Sequence, residues 1–154
     1  MINALQIKLD KPENAAASRN VTAIYKLLED PEDEALPPAA AAAAAADGGG
    51  KGSGGARLKF DLITSHLVLH HIADVPGVLN TMFGCLKPGG WVGLTDFEDF
   101  GPEARKFHPE SKMEGVERDG IPRDWMAGLL KDAGFVDVDV KVAWRTEKTV
   151  EKFP

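Results

Sequence analysis

Cysteine is almost absent from this chain: Cys85 is the only one among 154 residues. An internal disulfide framework is therefore excluded, and a lone thiol fits a reducing compartment. No stretch of about twenty consecutive apolar residues occurs, so no segment is expected to span a membrane. Basic charge is short as well, with 18 Lys and Arg against 24 Asp and Glu. No Lys/Arg block is present that would track a phosphate backbone, which disfavours nucleic acid as the main ligand. The first residues, MINALQIKLDKP, lack a basic leader, an apolar core and a cleavage site. A signal peptide is thus not expected, and the cytoplasm is the default location. There is no internal repeat.

What is present is ordinary for a soluble globular protein: 44% hydrophobic and 27% charged residues, in a length suited to one core and not two. Apolar Ile2, Leu5 and Leu9 stand at helical spacing, so a helix is predicted over Ile2–Lys11, closed by Pro12. Asn20–Leu28 is rich in β-formers and reads as a strand, followed by the acidic run from Glu29 to Glu34. Pro37 to Gly55 is different material, eight consecutive alanines and then DGGGKGSGG. Such glycines have nothing to pack with, so the tract is expected to be a flexible insertion within a single domain spanning 1–154. Its GKGS resembles a phosphate loop only superficially, because no apolar strand precedes it and no helix follows.

The densest information runs from Phe60 to Phe97: FDLITSHLVLHHIADVPGVLNTMFGCLKPGGWVGLTDF. Leu58–Ser65 is predicted as a buried strand. Val75–Leu86 is predicted as a helix with an apolar stripe of Val75, Val78, Leu79, Met82 and Phe83. Lys87-Pro88-Gly89-Gly90 then stops the helix and reverses the chain, since proline cannot continue a helix and glycine takes the backbone shapes of a turn. Trp91–Thr95 is the next strand, which completes a parallel β-α-β unit. A polar loop over Asp96–Asp119 leads to a helix over Ile121–Ala133, with Pro122 at its start and Gly134 after it. Alternation of Val136, Val138, Val140 and Val142 predicts a last long strand over Phe135–Val150 with one covered face.

These elements resemble the second half of class I S-adenosylmethionine (SAM) dependent methyltransferases, especially the small-molecule branch. The resemblance covers roughly Asn20 to Val142 and rests on LHH after one strand, LKPGG before the next and DAGF before a late strand. It implies an incomplete Rossmann-like α/β sheet, mostly parallel, with a C-terminal antiparallel strand. It implies SAM as cofactor, with Leu28, Glu29 and Asp30 at its adenosine and Ser65, His66 and Leu67 beside its methionine end. Asp96 and Glu98, just past a strand, fall where substrate groups approach in such enzymes. The family's glycine-rich G-x-G loop and the acidic residue after its second strand have no counterpart here. The resemblance therefore implies a domain lacking its first two strands and its last one, with an open sheet edge that a second chain would cover.

Two functions of different class follow. One is direct methyl transfer from SAM to a small molecule, with His66 as general base because an imidazole titrates near neutral pH. The other is a non-catalytic or truncated module that cannot bind SAM alone and acts, if at all, through a partner. A nicotinamide-dependent oxidoreductase fits less well, since it also needs a first-strand glycine loop. Glu29 and Asp30 are equally readable as solvated acids, and Asp96 and Glu98 as ordinary loop acids. His66 and His70 stand at i and i+4, but no third ligand is placed near them, so no metal is expected. His71 is expected to be a hydrogen-bonded core residue and His108 a surface one. Trp91, Trp125 and Trp144 are expected in the core. Phe97, Phe100 and Phe107 suggest a partly apolar substrate.

Overall fold

A computed structural model describes residues 2–39, 56–107, 113–145, 147 and 149. The chain divides into two compact units, Met1–Leu58 and Lys59–Pro154.

The first unit opens with helix α1 (Ile2–Leu9), a 3-10 turn at Pro12–Asn14 and a four-residue helix α2 (Ala15–Ser18). Pro12 ends α1 as its missing N–H requires. The segment 20–28, expected as a strand, forms none. Its β-formers supply propensity, but a strand also needs a hydrogen-bonded neighbour, and among the described residues none pairs with it. Tyr25 is accordingly 90% exposed. Further on, Arg57 ties the unit together. Its backbone N–H donates to the Glu32 carboxylate at 2.9 Å, and its guanidinium donates to the carbonyls of Glu32 and Leu36. The Ala39 N–H donates to the Ala56 carbonyl at 2.8 Å, and the Leu58 N–H to the Pro37 carbonyl at 2.8 Å. The two flanks of the Ala/Gly tract are therefore paired with each other, while residues 40–55 themselves lie outside the described residues.

The second unit is the predicted parallel β-α-β unit, a small open sheet of Rossmann-like α/β type. Strand β1 (Phe60–His66) runs parallel to β2 (Leu86–Thr95), with helix α3 (Val75–Cys85) between them. Asp74 caps α3 by accepting the Gly77 N–H at 2.9 Å, and Pro76 fits the first turn, where its missing donor costs nothing. The expected Lys-Pro-Gly-Gly turn is absorbed into β2 as an irregularity. Phe60 pairs with Leu86 and Leu62 with Trp91, so four residues of β2 loop out opposite Asp61. Gly89 at φ +77 supplies the left-handed residue this detour needs. Lys87, inside the detour, donates to both Asp61 carboxylate oxygens at 2.8 Å and holds that carboxyl below its ordinary range. The pair is solvent-exposed and salt-screened, so its small contribution is present above the ordinary carboxylate range and lost as pH falls through the lowered value.

The core lies on one face of this sheet. Leu69, Val75, Leu79, Ile121, Met126 and Leu130 form its buried cluster, with Val92 and Leu94 of β2 packed against it. The second contributor is helix α4 (Arg123–Asp132), which follows Pro122 and ends at Gly134, φ +102. Phe83 meets Phe135 edge to face at 5.1 Å. Of the helix stripe read from sequence, Val75 and Leu79 are fully buried and Val78 and Met82 pack against the core, whereas Phe83 at its end is exposed and meets only Phe135 among the described aromatic residues. Residues 135–145 form no strand: Val138, Val140 and Val142 turn inward and Asp139, Lys141 and Ala143 outward, but without ladder partners. The expected C-terminal antiparallel strand is thus not seen among the described residues. The tryptophans also depart from expectation. Trp91 is 70% exposed because it projects from the face of β2 opposite Val92, and Trp125 and Trp144 are exposed as well.

Leu79→Ala removes a fully buried side chain whose neighbours on α3, α4 and β2 cannot all follow. It is expected to lower unfolding free energy by about 3 kcal/mol, read as a shifted urea midpoint at unchanged slope.

Candidate functional site

Because β1 and β2 are parallel, both strands end on the same side of the sheet, and their last residues, His66 and Thr95, are register partners. Two chain segments leave this edge together. After β1, Leu67 takes a left-handed backbone, φ +52, and its N–H donates to the Thr95 carbonyl at 2.9 Å. A leucine in that region costs on the order of 1 kcal/mol or more and persists only where its surroundings enforce it. The chain then winds through a 3-10 turn, Leu69–His71. After β2 come Asp96, Phe97 and Glu98.

The two segments are joined by a buried pair. His70 Nδ1 lies 2.6 Å from Asp96 Oδ1, with the side chains only 4% and 5% exposed. A carboxylate offers acceptors only, so the proton sits on Nδ1 and His70 donates. The His70 backbone N–H reaches Asp96 Oδ2 at 3.2 Å, and the Phe97 N–H reaches Oδ1 at 2.7 Å. Asp96 lines the cleft, but its carboxylate is spent on these three donors, so it acts as a strut between the segments. On the far side of the turn, Arg118 donates to the carbonyls of Leu69 at 2.8 Å, Ile72 at 2.6 Å and Ala73 at 3.2 Å. Its guanidinium also lies 5.4 Å above the Trp125 ring. The backbone N–H groups of Glu117 and Arg118 both donate to the His70 carbonyl.

Above these segments opens a cleft of about 770 Å³. Its walls include His66, Leu67, Phe97, Glu98, Phe100 and Trp144, and apolar side chains there alternate with charged ones, Asp96, Glu98, Arg123 and Lys141 among them. His66 is exposed, with Nδ1 2.6 Å from Thr95 Oγ1 and its ring centroid 6.4 Å from that of Trp144. Glu98 is ion-paired to Arg123 at 2.6 Å.

The residues singled out in sequence are thus distributed unevenly. His66 and Leu67 line the cleft at the end of β1, Asp96 and Glu98 line it just after β2, and Ser65 stands inside the strand and is not among the lining residues. Leu28, Glu29 and Asp30 belong to the first unit; Glu29 is exposed, and Asp30 accepts the Glu32 N–H at 2.8 Å. Among the histidines, the core residue is His70 and not His71. His71 is exposed and bonds the Gly115 carbonyl at 2.7 Å, because the 3-10 turn points the first of the pair inward. His108 and the side chain of Phe107 lie outside the described residues. Sequence reasoning missed Thr95, Arg118 and Trp144. Of these only Thr95, the last residue of a strand ending at a predicted site, carried a signal. Among the described residues no three His, Cys, Asp or Glu side chains gather as metal ligands.

Comparison with known proteins adds a family. A family model described as "Methyltransferase domain" matches residues 5–140. The N-methyltransferase verN of Clonostachys rogersoniana is 29% identical over 90 residues, covering 54% of this chain and 31% of that protein. Phosphoethanolamine N-methyltransferase 1 of Arabidopsis thaliana is 37% identical over 81 residues, 51% of this chain and 16% of that protein. Demethylmenaquinone methyltransferase of Geobacillus sp. (strain WCH70) is 32% identical over 103 residues, 53% of this chain and 44% of that protein. The matches therefore span less than half the length of each of these relatives. No solved structure gives a significant match.

Asp96→Asn keeps the shape of the strut but weakens its charge-assisted bonds. It is expected to cost about 1.5–3 kcal/mol of stability in urea unfolding; an unshifted midpoint would show that the strut is energetically idle.

Proposed function

The chain belongs to the methyltransferase domain family, the class I SAM-dependent enzymes, and from that premise we propose that it methylates a small molecule using SAM. The observation that supports this most is the position of the cleft, outside the carboxyl ends of two parallel strands. That is where open α/β sheets bind their ligands.

The residues at the strand ends supply part of a site for such a ligand. Ser65, His66 and Leu67 would hold its methionine end, where the constrained left-handed turn at Leu67 shapes the lip of the cleft. For the adenosine, the resemblance to the family implies Leu28, Glu29 and Asp30, of which Glu29 and Asp30 are exposed. When bound, SAM supplies a methyl group already activated on a sulfonium sulfur. The protein then needs only to align the acceptor and exclude water. His66 would receive the proton that an acceptor N–H or O–H gives up on methylation. Phe97, Phe100 and Trp144 provide an apolar wall for the acceptor, and Glu98, held by Arg123, a polar contact beside it. We read the location as cytoplasmic, on the single cysteine; among the described residues no helix is long and apolar enough to cross a membrane.

Calorimetric titration of the purified chain with S-adenosylhomocysteine tests the reading. Saturable binding is expected, weakened roughly 10- to 100-fold by Glu29→Ala or Asp30→Ala if each carboxylate makes a charge-assisted bond. A folded chain that binds nothing would refute the cofactor assignment. In an acceptor screen that begins with phosphoethanolamine and extends to small amines and phenols, His66→Ala should lose about 10²- to 10⁴-fold in kcat at saturating SAM, over and above any weakening of cofactor binding. An undiminished rate would remove His66 from the chemistry.

A further inference from the structure

Thr95 meets His66 through its side chain and, through its carbonyl, holds Leu67, the residue that follows His66. We infer that Thr95 is a positioning residue that selects the ring tautomer of His66, and so decides which nitrogen is available as base. The inference rests on the methyl-transfer reading for its consequence, though not for its geometry.

A neutral imidazole carries one N–H, and the partner of one nitrogen settles the state of the other. His66 Nδ1 stands 2.6 Å from Thr95 Oγ1, a short contact for a nitrogen and a hydroxyl. If Nδ1–H donates to Oγ1, the Nε2 lone pair is left to accept a proton. If the hydroxyl donates instead, Nε2 carries the hydrogen and cannot act as a base. Threonine suits the first arrangement, because its oxygen can accept from Nδ1 while keeping its own hydrogen for another partner. Branching at Cβ restricts the rotation that would carry Oγ1 away.

The backbone holds the geometry from the other side. The Thr95 carbonyl accepts the Leu67 N–H at 2.9 Å, which pins the left-handed Leu67 at φ +52 immediately after His66. His66 and Thr95 are also register partners at the ends of the parallel strands. One side-chain contact and the last ladder bond of the parallel strands thus hold one imidazole edge against one hydroxyl. The tilted Trp144 ring at 6.4 Å between centroids meets the imidazole without competing for Nδ1.

The test is nitrogen-15 NMR of the full chain with labelled histidine and no ligand, the His66 signal being assigned by its loss in His66→Gln. The wild type is expected to show Nδ1–H with an unprotonated Nε2, Thr95→Ser to preserve that tautomer, and Thr95→Val to shift the population towards Nε2–H. A wild type dominated by Nε2–H, or a tautomer unmoved by Thr95→Val, would overturn the inference whatever the activity. With an acceptor in hand, Thr95→Val should lower kcat about tenfold or more, leave the KM for acceptor and the binding of S-adenosylhomocysteine unchanged, and be rescued by Thr95→Ser. A rate that follows the tautomer supports the positioning role. A tautomer that shifts as expected while kcat stays constant refutes His66 as base and leaves Thr95 as the group that sets its tautomer.

Discussion

The bond between His70 and Asp96 is the constraint on which the rest of this site depends. Each residue belongs to a different segment leaving the sheet, and neither would be tolerated deep in the core alone. A buried carboxylate without donors is strongly disfavoured, as is a buried imidazole without an acceptor. Together, and with the backbone N–H groups of His70 and Phe97, they satisfy one another. The two segments are thereby kept at one spacing, and the cleft between them keeps its shape. Arg118 does the same from outside by closing three carbonyls of the same turn.

The sheet itself explains why the site is on this edge. Parallel strands point their carboxyl ends the same way, so the residues that follow β1 and β2 converge without any further device. The side chains alternate as a pleat requires. Val92 and Leu94 face α3 and α4, whereas Leu62 and Trp91 face away. Helices usually cover both faces of a parallel sheet; among the described residues of this unit they cover one. The apolar core therefore anchors the strands from below, while the functional groups ride on the loops above them.

That division between scaffold and loops shapes the chemistry. His66, the last residue of β1, is fixed by its strand, by the pinned Leu67 and by Thr95, whereas Phe97, Phe100 and Trp144 come from segments without regular structure. With His66 in its proposed role, a fixed imidazole facing a more adaptable apolar wall suits an enzyme class in which the methyl donor is constant and the acceptor varies from member to member. The relatives differ in this respect by their very names, one directed to phosphoethanolamine and another to demethylmenaquinone.

Local pattern was enough to read β1, α3, β2 and α4 in the sequence. Their signals are short-range: a 3.6-residue apolar stripe, a proline at a helix start, a glycine after a helix end. The resemblance to SAM-dependent methyltransferases was legible for the same reason, since LHH and LKPGG sit at fixed places in that local pattern. Pairing was not legible. Residues 20–28 and 135–145 carry strand composition, yet a strand exists only when a second backbone meets its hydrogen-bonding groups, and that partner is remote in sequence. Nor could the sequence say which of His70 and His71 is buried, because one step around a 3-10 turn exchanges core for solvent. The sequence by itself determined the β-α-β unit and the place of His66 at its end. Only the tertiary structure decided that Asp96 is spent on His70, that Thr95 holds His66 and that Trp144 lies in the cleft, for each of these is a contact between segments that the folded core alone brings together.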